Sequence, residues 1–200
     1  PPVDPAVLAQ QELQLQQRKA AQLYVQLGGL LAPMVKAGYF ATEDGLVVTL
    51  AAELAGCQAV VIHTADGQKI RQNGVLAFDE ASDLAVLATK IKPPVHLPLA
   101  EKPVTESESC VVVFPLEVGQ MRAADVKLLA RREVVDRSGT RIVPVWSFAL
   151  SLNSAARTGT PLVTSDGKVA GLFFQLQAPD IQTRQRRAYA IPQGIIASIL

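Results

Sequence analysis

Ala155-Ala156-Arg157-Thr158-Gly159-Thr160-Pro161-Leu162-Val163 decides the fold class, because it is a turn set among short β-type runs. Gly159 and Pro161 punctuate it, and Leu162-Val163 opens a strand. Downstream, 169–176 makes a hairpin with that strand over Ser165-Asp166-Gly167, the run 186–191 follows, and Pro192 opens a terminal helix over 193–200. Upstream, 110–114, 125–134 and 141–150 have the same short, β-branched character.

Further towards the N-terminus, Lys92-Pro93-Pro94 with Pro98 and Pro103 forms an extended linker. Before it lies a first set of runs: 35–42 and 46–50 around Glu43-Asp44-Gly45, 59–65 and 68–79 around Asp66-Gly67, and then 84–88. An Asp-Gly pair between alternating runs is a strong hairpin signal. Two sets of about six short strands predict an all-β chain of two packed six-stranded β-barrels, the first over 33–98 and the second over 99–200 with its C-terminal helix.

Residues 1–32 read differently. Asp4-Pro5 suits an N-cap followed by the first helical position, a Gln-rich stretch follows, and Gly28-Gly29 is a stop, so a helix over about 5–27 is expected. Leu13, Ala20, Tyr24, Leu27 and Leu31 make one apolar seam. The seam is expected to pack on the domain that follows; self-association into a homo-oligomer and docking on a partner are the alternatives.

Composition bounds the function. Of 200 residues, 49% are hydrophobic and 18% charged, enough for a sizeable core. No run is long enough for a membrane helix, and the chain begins at Pro1 rather than Met, so an export signal or anchor is expected to lie outside this sequence. The net charge of +1 conceals an asymmetry: residues 1–118 carry 8 Lys and Arg against 13 Asp and Glu, and residues 119–200 carry 11 against 5. Ordinary solvated surface is the expected reading of this asymmetry, with halves that attract each other or a basic face on the second as the alternatives. Without aromatic interleaving or a basic run longer than two, nucleic acid is not an expected partner. Cys57 and Cys110 lack redox or zinc spacing and leave open one disulfide or two thiols, with buried thiols preferred.

In their order these pieces resemble the HtrA/Deg type of trypsin-like serine protease. The resemblance rests on Ala37-Gly38-Tyr39-Phe40, the run from Asp44 to Glu53, Asp83-Leu84-Ala85-Val86-Leu87, the turn from Arg157 to Val163, Gly167-Lys168-Val169-Ala170-Gly171-Leu172 and Tyr189-Ala190-Ile191-Pro192. It covers about 37–200 and implies the same pair of six-stranded barrels. It also implies a serine nucleophile, a histidine base, an aspartate orienting the histidine, and backbone donors for the oxyanion.

The departures change the expected function. In register with the family, the base position falls on Ala52, the nucleophile on Thr158 and an oxyanion glycine on Ala156; only the orienting acid is retained, as Asp83. An alanine moves no proton, and a threonine hydroxyl does not ionise unaided at pH 7. The expectation is an inactive protease homologue that binds or scaffolds a protein, with no catalytic residue, cofactor or metal. A repurposed hydrolase using Thr158 is the alternative, and Asp83 is expected to cap nearby backbone N–H groups. His63 and His96 are expected to be surface or structural histidines, with a weak metal site as their sharper reading. The resemblance implies that the strand at Phe173, Phe174 and Gln175 borders the former specificity pocket and can pair with a peptide by β-strand addition; core packing is the expected role of both rings, with one filling the old pocket as the alternative. The family and the Pro/Gln-rich start together imply a place in the bacterial periplasm or envelope.

Overall fold

A computed structural model describes residues 36–57, 59–72, 74–117, 120–135, 142–149, 158–175 and 188–200. The expected helix over 5–27 lies outside them, as do Ala156 and Arg157.

The first half is built on β1 (Tyr39–Phe40), β2 (Leu46–Leu50), β5 (Ala77–Asp79) and β6 (Leu84–Ala88), an antiparallel sheet in the order β1-β2-β6-β5. β2 and β6 are its central strands and read LVVTL and LAVLA, nearly unbroken apolar runs, because both of their faces are covered. A separate hairpin pairs β3 (Val60–His63) with β4 (Lys69–Gln72). Its strands alternate between half-buried and exposed residues, so only one face packs. Six strands therefore form, as the sequence leads one to expect. Among the described residues they are not joined into one closed ring.

The second half closes. Its strands β7 (Ser109–Glu117), β8 (Gln120–Val135), β9 (Ile142–Ala149), β10 (Pro161–Thr164), β11 (Val169–Gln175) and β12 (Ala188–Pro192) make an antiparallel barrel in the order β10-β11-β12-β9-β8-β7, with β10 returning to β7. β8 serves two neighbours: it pairs with β7 up to Lys127 and with β9 from Lys127 onward, with a bulge between Leu128 and Ala130. Cys110 and Val112, Val126 and Leu128, and Trp146 and Phe148 are spaced by two and point inward, meeting Leu162 and Phe173 in the barrel core. The helix α1 (Gln193–Ala197) follows β12 directly.

A second core crosses from one half to the other. Tyr39, Val48, Leu50, Leu84 and Val86 pack with Val169, Leu172, Ile191 and Ile196. The proline linker is tied to both sides: Leu97 N–H donates to the Phe40 carbonyl at 2.8 Å, and Val169 N–H to the Pro98 carbonyl at 2.8 Å. No helix among the described residues is long and apolar enough to cross a membrane.

Candidate functional site

The site forms where β2, the segment before β6 and the turn at Thr158 meet. β2 runs into a 3₁₀ turn, Ala51–Glu53, whose first N–H groups have no partner within the turn. Asp83 supplies both missing acceptors. Its carbonyl accepts the Ala51 N–H at 2.8 Å, and its Oδ1 accepts the Ala52 N–H at 2.7 Å. Asp83 adopts a φ of 57°, a left-handed conformation that aspartate tolerates better than most residues. The turn before it is fixed by Asp79, whose carboxylate accepts the Ala81 N–H at 3.1 Å and the Ser82 hydroxyl at 2.6 Å. The position expected of a base thus carries a half-buried methyl group, and the retained acid holds the backbone beneath it.

The Thr158 turn is joined to this arrangement through Ala37. The buried Thr49 donates its hydroxyl to the Ala37 carbonyl at 2.7 Å. A Cβ placed on Gly159 would stand 2.2 Å from that same carbonyl oxygen, and Gly159 has a φ of +93°. No side chain fits there, so the glycine is fixed by the contact itself. Gly159 N–H donates to the Phe173 carbonyl and Phe173 N–H to the Thr160 carbonyl, both at 2.8 Å, which anchors the turn on β11. Lys36 reaches across to Glu53, one residue beyond Ala52, with 2.5 Å between the charged groups.

These bonds hold Ala52 on Asp83, and they hold Gly159, the residue after Thr158, against Ala37 and Thr49. Thr158 is half-buried, and among the described residues its hydroxyl has no hydrogen-bonding base. His63 is exposed on β3 opposite Lys69, and His96 is exposed in the linker. Among the described residues no group of three His, Cys, Asp or Glu could hold a metal ion. The cysteines are free thiols; Cys110 is buried, but Cys57 is exposed, which corrects the preference for two buried thiols. Cys57 falls in the surface turn after Glu53, a placement that its apolar neighbours Leu54 and Ala55 conceal.

The two phenylalanines take different environments. Phe173 is 1% exposed and meets Phe148 edge to face, with ring centroids 5.6 Å apart, so its ring belongs to the barrel core. Phe174 is half-buried and stacks on Tyr189 at 5.7 Å. Gln175 pairs with Ala188 at the end of the β11–β12 ladder. On its other side, among the described residues, β11 is bonded to the strand and turn of β10 as far as Phe173. Sequence reasoning missed the Thr49–Ala37–Gly159 contact and the Lys36–Glu53 pair. The "T-L-A-A-E" order hints at a capped turn, but no local signal names Ala37 as its partner.

No family model matches the chain, and no curated protein matches it in sequence. Solved structures do. The MamO protease domain from Magnetospirillum magneticum is 19% identical, with a TM-score of 0.68 over 82% of this chain and 87% of that one. The active form of the Rv3671c protease from M. tuberculosis is 23% identical, with a TM-score of 0.66 over 80% and 70%. AlgW, an HtrA-type protease solved with a tripeptide, is 17% identical, with a TM-score of 0.65 over 80% and 52%. The closed six-stranded barrel thus belongs to a chain with the fold of trypsin-like proteases.

Proposed function

We propose that this domain is a catalytically inactive trypsin-like module, a pseudoprotease, that acts by binding or scaffolding a protein partner. The observation that carries the reading is that Ala52, at the position expected of the base, meets Asp83 through its backbone N–H and brings no imidazole of its own. Loss of the base alone lowers triad catalysis by about 10⁴–10⁶, and no base among the described residues stands in for it at Thr158.

Recognition then rests on the main chain. Phe173 is committed to the barrel core, which leaves the end of β11 at Phe174 and Gln175, past the last bond to the Thr158 turn, as the edge that accepts an extended peptide. A place in the bacterial envelope goes with this reading and is supported by the family resemblance alone; cell fractionation tests it.

The deciding experiment compares the native chain with Thr158→Ala for fluorophosphonate labelling and for cleavage of unfolded casein. Neither protein is expected to label or cleave above background. Hydrolysis by the native chain that disappears in Thr158→Ala would establish the hydrolase instead.

A further inference from the structure

Away from the Thr158 junction, a groove of about 430 Å³ lies between the linker, the β8–β9 ribbon and the β12–α1 junction. Its floor is buried: Val104 and Trp146 are each 5% exposed and Gln193 is 6% exposed, with Pro192 beside them. Its rim is exposed and carries one charge of each sign, Arg131 and Glu106. The Arg131 guanidinium lies over the Trp146 ring, 5.9 Å from its centroid, and holds the indole in place. Among the described residues neither the Gln193 amide nor the Trp146 indole N–H has a hydrogen-bond partner. Both residues line the groove.

We propose that this groove binds a short, uncharged, proline-containing peptide segment in extended conformation. The volume selects the size: it lies at the lower end of ligand pockets and below what a helix about 10 Å across needs. Gln193 selects the chemistry, because an amide offers one acceptor and a pair of donors and so matches a peptide group, which has one of each. Trp146 between proline-lined walls matches the rings of a polyproline-type segment, which needs little ordering to bind. The opposite charges on the rim favour a neutral chain over a strongly charged one. None of these residues belongs to the Ala52–Asp83–Thr158 junction, so the proposal stands apart from the reading of that site.

Trp146 is the only tryptophan in the chain, so its emission reports on the groove directly. The full chain is titrated with N-acetyl-Pro-Leu-Pro-amide while that emission is followed. A saturable change is expected, with Gln193→Ala binding about five- to tenfold more weakly, the loss that follows from one missing hydrogen bond. Gln193→Met, which keeps the side-chain volume, is expected to show the same weakening and serves if the alanine variant does not fold. The proposal is overturned by the absence of a saturable change in the native chain, by native affinity in Gln193→Met, or by cyclohexanol binding as tightly as the peptide.

Discussion

Single residues at the junction carry constraints that their chemistry alone does not announce. Gly159→Ala must place a methyl group 2.2 Å from the Ala37 carbonyl at a φ of +93°, so a loss of about 3 kcal/mol or more is expected in urea unfolding. Tyr39 offers the opposite case. Its hydroxyl is buried and has no partner among the described residues, and burial holds its ionisation well above the usual phenol range. Tyr39→Phe removes that unmet group and is expected to raise stability by about 1 kcal/mol; a loss of stability would contradict the assignment. The thiols separate by environment. Burial, with the Glu108 carboxylate adding to it, pushes Cys110 up to about 11, whereas Cys57 is exposed. One equivalent should react with a disulfide reagent in the native protein at pH 8 and the second only after unfolding. Because the folded value is raised, the stability that Cys110 contributes is fully present below the unfolded thiol value of 9.0 and is lost as pH rises towards about 11. None of these environments is visible in the sequence. Asp83 was legible as a retained acid, but the carboxylate's hold on Ala52 depends on a backbone turn 31 positions away.

Among the elements, the two hairpins built on Asp-Gly turns are the parts most fully written in the sequence, and they share one design. Thr64 donates its hydroxyl to Asp66 and Thr164 donates its own to Asp166, while each threonine N–H bonds the carbonyl four residues on, at 3.0 and 2.8 Å. Gly67 and Gly167 take φ values of +85° and +81° to close them. The Thr164 hydroxyl, with Lys168 assisting, holds Asp166 below its ordinary carboxylate value. That contribution is present above the unfolded carboxylate value and is lost as pH falls through the folded one, so Asp166→Asn is expected to flatten the acid limb of the stability profile. Thr164→Val is expected to cost about 1 kcal/mol, since it removes the hydroxyl that accepts the Lys168 N–H and donates to Asp166. The length of β8 was not legible. Gln120-Met121-Arg122-Ala123-Ala124 has neither β-branching nor alternation, and it is a strand because β7 supplies a ladder from Ser109 to Glu117. That the first-half strands do not close into one ring among the described residues was likewise hidden, because strand count is local while closure depends on which edges meet.

In the whole molecule, apolar packing is a larger link between the halves than opposite charge. Among the described residues Lys36 pairs with Glu53 and Lys92 with Glu43 within residues 1–118, while Lys168 of the basic part pairs with Glu101 of the acidic part. Exposed pairs of this kind contribute little and are screened by salt. The shared core is larger, and Ile196, fully buried in it, comes from the terminal helix while Leu50 and Leu84 come from the first sheet. Ile196→Ala should therefore cost about 2–5 kcal/mol and act on both halves at once. The expected outcome is a single unfolding transition, displaced as a whole by the substitution and hardly moved by raising salt from 0.05 to about 0.5 M. Fluorescence from Trp146 reports on the barrel, and a tyrosine-weighted signal includes Tyr39 in the first sheet. Coincident midpoints from the two probes would follow from one core; separated midpoints, with only the barrel shifted in Ile196→Ala, would mean that the halves stand independently and that the crossing contacts contribute little.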